Sequence, residues 1–232
     1  MKKFLSLVIG VALAASASAQ LSDRLFYQAG GTIGLDFSQL TGKVGHRNTP
    51  VVHKQVNYAT IGFGARLNVF EFSNTFSMGL AAQPLVSIGR AYNKSTGGGV
   101  NFMFRTPFTF DVNIGNAATS KAHSRHGVVL GAGMQWIKYP FFGGDIPIFK
   151  STVSGGQPYF INMNTNWWEP VAHIGIRSNS KHFFSNEVNV RVSYKTRSSL
   201  NLNGATNTSD NAYIHDFQRF SIMLSYLQFL NF

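Results

Sequence analysis

Glu169, His173, Arg177, Glu187 and Arg191 gather two carboxylates, an imidazole and two guanidinium groups in a short length of chain. An acid, a base and a fixed positive charge are the ingredients of general acid–base catalysis. They are equally the ingredients of a buried ion-pair network, which hydrogen-bonds in the same way and turns nothing over. Spacing favours the second reading. All five numbers are odd, so a chain alternating with period two carries them on one face of two adjacent strands. If Arg177 faces Phe183 across a hairpin, His173 falls opposite Glu187 and Glu169 opposite Arg191, two complementary pairs. Other chemistry is thinly represented. The seven histidines lack the spacing of a metal site, and there is no cysteine to supply a thiolate. Gly131 and Gly133 lie inside an alternating stretch with no helix after it, so they make no dinucleotide fingerprint. No metal or cofactor is expected.

Eight alternating segments must position these groups. They run Leu25–Ser38, Tyr58–Phe72, Phe76–Gly89, Val100–Ile114, Gly127–Ile137, Trp167–Arg177, His182–Lys195 and Phe217–Phe232. In the fourth, Phe102, Phe104, Phe108, Phe110 and Val112 oppose Asn101, Arg105, Thr109, Asp111 and Asn113. The connections alternate long, short, long, medium, long, short, long, as in barrels whose short turns face one side of a membrane and whose loops face the other. A water-facing polar phase would be rich in lysine and glutamate. This one mixes glycines (Gly30, Gly62, Gly64, Gly131, Gly133, Gly175) with isolated charges, which fits the narrow, side-chain-filled centre of an eight-stranded barrel. An ion-pair network of Arg66, Arg105, Asp111, Glu169, His173, Arg177, Glu187, Arg191 and Arg219 is therefore expected inside, and a plugged interior with it.

The apolar phase carries aromatics at both ends of the strands. Trp136, Trp168, Tyr194 and Phe220 would form an outer girdle, and Tyr27, Phe76, Phe184 and Phe232 an inner one. Pro84, Pro107 and Pro170 fall within strands, where bulges or rim positions are expected. A hairpin of Ile146–Lys150 with Tyr159–Met163 would raise the strand count to ten. Pairing Tyr194 with Phe220 would level Asn186 with Gln228 on the apolar face, a tolerated polar pair or a contact for another envelope protein.

Lys2 and Lys3, the apolar run Phe4–Ala15 and Ala17-Ser18-Ala19 read as a secretory signal peptide over residues 1–19, leaving 20–232 as a single barrel domain. The apolar run is shorter than the ~20 residues of a membrane-spanning helix. Removing the two lysines lowers the net charge from +11 to +9, which points to an anionic partner. For an exported chain nucleic acid is excluded in favour of surface polyanions. Lys43, Arg47, Lys54, Arg90, Lys94, Lys150 and Arg197 in the long loops would meet lipopolysaccharide phosphates.

The last segment sets Phe220, Ile222, Leu224, Tyr226, Leu230 and Phe232 on one phase and Arg219, Ser221, Met223 and Ser225 on the other. It resembles the final strand of bacterial outer-membrane β-barrels, whose terminal Phe is read by the barrel-assembly machinery. As a whole the chain resembles the small barrels typified by outer-membrane protein X and the transmembrane part of OmpA. The resemblance implies an all-β, eight-stranded antiparallel up-and-down transmembrane barrel with both termini periplasmic. It also implies a non-enzymatic structural, adhesive or accessory role. The alternatives are a lipid-modifying enzyme and a narrow channel. Lipid A deacylases of similar size use neighbouring His and Ser at the outer rim. His123-Ser124, the adjacent His–Ser pair here, falls in a turn assigned to the periplasm.

Overall fold

The computed structural model describes residues 23–44, 49–93, 97–139, 146–152, 158–163, 165–179, 185–202 and 212–229. The expected signal peptide, Arg47, Lys94, Phe184 and Phe232 lie outside the described residues. The strands are β1 (Leu25–Val44), β2 (Thr49–Ser73), β3 (Phe76–Ala82), β4 (Leu85–Asn93), β5 (Gly97–Gly115) and β6 (His126–Tyr139). They continue as β7 (Ile146–Thr152), β8 (Pro158–Met163), β9 (Thr165–Asn179), β10 (Ser185–Leu202) and β11 (Ala212–Phe229). All pairings are antiparallel, and β1 pairs with both β11 and β2, so the sheet closes on itself. β3 and β4 follow one another between β2 and β5 and form one interrupted stave, which makes a ring of eight. The β7–β8 hairpin forms a separate two-stranded sheet in the β6–β9 connection and does not enter the wall.

Burial separates the two phases. Outward residues such as Ile61, Phe63 and Ile176 are 65–71% exposed, whereas Arg66, Asn113 and Glu169 on the other phase are 0% exposed. The outward apolar side chains run round the ring, from Tyr27 and Ile61 through Leu80, Phe108, Leu130, Ile174 and Val190 to Ile222. Water would penalise a continuous apolar belt of this kind, while hydrocarbon accommodates it. The fold is a transmembrane-type barrel turned inside out relative to a soluble one.

Three expectations change. Strands run well past the outer girdle: the segment read as a loop after Ser38 pairs as strand from Gln39 to Val44 and from Thr49 to Asn57. His53, Gln55 and Asn57 point in and Val52, Lys54 and Val56 point out, an alternation masked by their polarity. The register resets at Tyr58, the extra residue between Asn57↔Gly89 and Ala59↔Ile88. A bulge of this kind lets two successive residues face out and exchanges odd for even numbers on the inside.

The second change concerns proline. None of Pro84, Pro107 and Pro170 shifts the register: Ala82↔Phe108 and Leu85↔Arg105 lie on one unbroken pairing, as do Met134↔Pro170 and its neighbours. Pro84 instead interrupts the ladder between β3 and β4. The Gln83 amide donates to the Pro107 carbonyl at 3.1 Å, but Pro107 has no N–H to return the bond. Backbone donors alternate sides along a strand, so the N–H missing at Pro84 is one that would have gone to β2.

The third is the β9–β10 register. Arg177 faces Glu187 and His173 faces Arg191, two residues of turn later than the pairing built on Phe183. The expected partners His173–Glu187 and Glu169–Arg191 are therefore not opposite one another, because β9 continues to Asn179 and β10 starts only at Ser185. Between β10 and β11, Tyr194 faces Phe220 and Asn186 faces Gln228.

Replacing Pro84 with Val restores a ladder donor without changing the outward apolar character of the site. Urea unfolding in lipid should show a stabilisation of about 1 kcal/mol, and the Leu85 amide should exchange more slowly. A loss of stability would mean that the gap relieves strain elsewhere in the ring.

Candidate functional site

The interior is the site with the densest chemistry, and it is layered. At the mouth nearest the Trp136–Trp168 pair, Leu40, His53, Ile137, Tyr139, Trp167 and Phe217 are buried on the inward phase. Trp167 and Phe217 meet edge to face at 5.8 Å, and His53 Nε2 lies 3.0 Å from the Tyr139 hydroxyl. This aromatic cap was not foreseen, since Trp167 and Phe217 stand beside the outward-facing Trp168 and at a strand start. Their odd numbers, shared with Glu169 and Arg219, are the signal that assigns them to the interior.

Below the cap Glu169 is saturated. It accepts from Arg219, Ser193, Gln135 Nε2 at 2.6 Å and Trp167 Nε1 at 2.9 Å. Arg105 pairs with Asp36, whose carboxylate also accepts from Asn57 Nδ2 at 2.6 Å. Gln55 extends this layer to Asn57 at 2.6 Å and Asn101 at 3.0 Å. The thioethers of Met103 and Met223 lie 3.7–4.0 Å from the Arg105 and Arg219 guanidinium nitrogens and fill the space between the two pairs.

The next layer holds His173. Its Nε2 is 3.0 Å from Asp111 and its Nδ1 is 2.7 Å from the Asn189 amide nitrogen, which also donates to Glu187 at 2.8 Å. An amide nitrogen only donates, so Nδ1 is the acceptor and the ring proton sits on Nε2, facing the carboxylate. Gly131 makes this possible: a methyl group there would overlap both His173 and Asp111. Arg177 Nε donates to Glu187 at 2.7 Å.

The opposite mouth is closed by backbone. The turn after β5 folds inward with Ala117 at φ 54° and Gly115 at φ 79°, burying Asn116, Ala117, Ala118 and Thr119. The Ala117 carbonyl accepts from Arg66 and, at 3.4 Å, from Arg177, while the Ala118 carbonyl accepts from Ser77 and, at 2.7 Å, from Asn68. Phe26 lies 4.3 Å from the Arg66 guanidinium, and Phe229 lies 4.9 Å from that of Arg177. Carbonyl oxygens carry no sequence signature, so this plug could not be read from residue types.

The expected interior residues Arg66, Arg105, Asp111, Glu169, Arg177, Glu187, Arg191 and Arg219 are all at most 4% exposed. Their partners sit mainly across the ring: β9 with β11 at Glu169–Arg219, β5 with β1 at Arg105–Asp36, β5 with β9 at Asp111–His173. Outside, Tyr27, Trp168, Tyr194 and Phe220 are 44–52% exposed, and Phe76 and Trp136 are half-buried among neighbours. Trp136 faces Trp168 across β6–β9, with Phe104 at 5.8 Å from the Trp136 ring and Phe108 at 5.8 Å from that of Trp168.

Of the basic residues, Lys43, Lys54, Arg90 and Arg197 are exposed on strand ends rather than in loops, and Lys150 lies in β7. Lys43 is paired at 2.8 Å with Asp216, and its ammonium holds that exposed carboxyl below the usual range. Lys43, Arg197, Pro50 and Val52 line an open groove of about 660 Å³ beyond the girdle that holds Tyr194 and Phe220. His123 and Ser124 lie in the turn after β5, at the opposite end of the barrel. Among the described residues no group of His, Cys, Asp and Glu is placed to hold a metal ion.

No family model matches the chain, and no curated protein does. Among solved structures it is similar to outer membrane protein OprG from Pseudomonas aeruginosa, at 11% identity and TM-score 0.46 over 90% of this chain and 97% of that one. It is similar to AlkL in DMPC lipid bilayers at 11% identity and TM-score 0.47, over 90% and 92% of the two chains. It is also similar to the outer membrane protease OmpT from Escherichia coli at 8% identity and TM-score 0.41, over 89% and 96%. The barrel described above rests on its own strand pairings and burial, not on likenesses of this degree.

Removing the charge at Glu169 leaves Arg219 buried without its carboxylate. Glu169→Gln should cost about 3–5 kcal/mol in lipid-based unfolding, and adding Arg219→Met should recover much of the loss. A cost below 1 kcal/mol would mean that water reaches this layer.

Proposed function

We propose that this protein resides in the bacterial outer membrane as a closed, non-conducting barrel, and serves as a structural, adhesive or accessory component of the envelope rather than as a catalyst. The observation that carries the reading is the continuous fill of the interior, from the Trp167–Phe217 cap through the Glu169, Asp36 and Asp111 layers to the Ala117–Ala118 plug. Such an interior gives a rigid post with two working surfaces, its lipid-facing belt and its outer rim.

An enzymatic role has little support. His173 is the histidine best oriented by neighbours, yet its side chain is 6% exposed and both ring nitrogens are engaged, by Asp111 and Asn189. The exposed Lys54, Arg90 and Arg197 at one end suit contact with anionic lipopolysaccharide phosphates just beyond the hydrocarbon. The aromatic belt beneath them suits the membrane interface. Asn186 and Gln228, level with one another near the opposite end, offer hydrogen bonds on an otherwise apolar face to a neighbouring envelope protein.

Purified protein in a planar lipid bilayer should give no steady current, and deletion of the gene should leave the mass of lipid A unchanged. Sustained porin-like conductance would replace this reading with a channel, and a lipid A mass shift would replace it with an enzyme.

A further inference from the structure

Lys54 and Arg90 put two positive charges side by side on the outward face of the wall. Between β2 and β4, Lys54 faces Tyr92 and Val56 faces Arg90, on a stretch of register without a break. All four side chains belong to the outward phase and are exposed. The Tyr58 bulge is what turns Lys54 out, since it exchanges the two faces of β2 beyond it. Lys54 and Arg90 are thus diagonal neighbours across the two strands, with Cβ atoms about 7–8 Å apart or less.

The pairings also fix their height. Lys54 continues the row of Tyr194, Phe220 and Gln39, so it stands level with girdle aromatics. Arg90 belongs to the next row away from the mouth, with Val192, Ile222, Phe37 and Val56 on one side and Val100 on the other. That row is otherwise apolar and exposed, on the hydrocarbon side of the girdle. A guanidinium is unfavourable there unless it snorkels toward the interface, which carries its head toward the Lys54 ammonium and the Tyr92 hydroxyl.

Two like charges then meet with no acid between them. Among the described residues the exposed acid at this end is Asp216, and Lys43 holds it at 2.8 Å. Asp23 and Glu71 lie at the opposite end. A shared phosphate removes the repulsion and suits the three groups. The guanidinium fork donates to two of its oxygens, the ammonium supplies a point charge, and the phenol a further O–H. A soluble phosphate would leave the apolar row bare, whereas a lipid phosphate brings acyl chains to lie along Val56, Val100 and Ile222.

We infer that Lys54, Arg90 and Tyr92 seat one phosphate of a single lipid A molecule, whose acyl chains cover the apolar row beneath. The inference rests on the outer-membrane location and lipopolysaccharide contact proposed above, and makes one lipid a fixed partner at one place on the wall.

Native mass spectrometry of the detergent-solubilised barrel, titrated with lipid A, dephosphorylated lipid A or phosphatidylglycerol, tests it. Wild type should hold one lipid A in preference to both of the other lipids. The double variant Lys54→Gln, Arg90→Gln should bind lipid A about tenfold more weakly or worse. Lys121→Gln with Arg125→Gln removes the same charge from the exposed turn at the opposite end and should bind as wild type does. All four residues are exposed, so both variants should keep the wild-type circular dichroism spectrum. Undiminished binding by the first variant, or an equal loss in the second, overturns the seat and leaves the closed outer-membrane barrel standing. A preference for phosphatidylglycerol over lipid A also overturns it. Indifference between lipid A and its dephosphorylated form overturns it and the proposed lipopolysaccharide contact together.

Discussion

Eight staves leave a narrow centre that inward side chains must fill, and this constraint governs the rest of the structure. Inward side chains meet those of neighbouring and more distant staves, so any charge placed there must find its partner inside. Asp36 with Arg105, Glu169 with Arg219 and Glu187 with Arg177 meet that demand, and Asp111 meets it through His173. Glycine has a defined part in it. Gly131 gives up its side chain so that the His173–Asp111 pair can occupy the axis. Methionine supplies the remaining volume, its thioethers lying against guanidinium groups without demanding a proton.

The two mouths are sealed by different means. One uses aromatic bulk, with Trp167 and Phe217 edge to face beside the buried Tyr139. The other uses backbone carbonyls of a turn driven into the left-handed region at Ala117, which arginine and asparagine side chains hold in place. The wall loses a ladder donor at each of Pro84 and Pro107, which lie near one height on adjacent staves. The register survives because the pairings on either side of the gap agree.

Much of this was legible in the chain, because a period of two assigns every residue to one face whatever its partner. Arg66, Glu169 and Arg219 could be read as interior and Trp168 and Ile176 as exterior without any knowledge of register. Register was another matter. Both the pairing built on Phe183 and the observed one keep odd residues inside, and charge complementarity could not choose between them. The reason is physical: in a narrow ring the decisive partners come from across the axis, as Glu169 finds Arg219 two staves away. Polarity likewise hid the continuation of β1 and β2 beyond the girdle, where His53, Gln55 and Asn57 are inward residues that look like loop.

Trp167 and Trp168 offer the most direct test of the central claim, for they are neighbours on opposite faces, 4% and 47% exposed. With Trp136 replaced by Phe, two variants can be prepared that retain only Trp167 or only Trp168 in brominated lipid. The account predicts strong quenching of Trp168 by bromine on the acyl chains, weak quenching of Trp167, and little access for aqueous acrylamide to either. Equal quenching of the two by lipid, or efficient quenching of Trp168 from water, would contradict it.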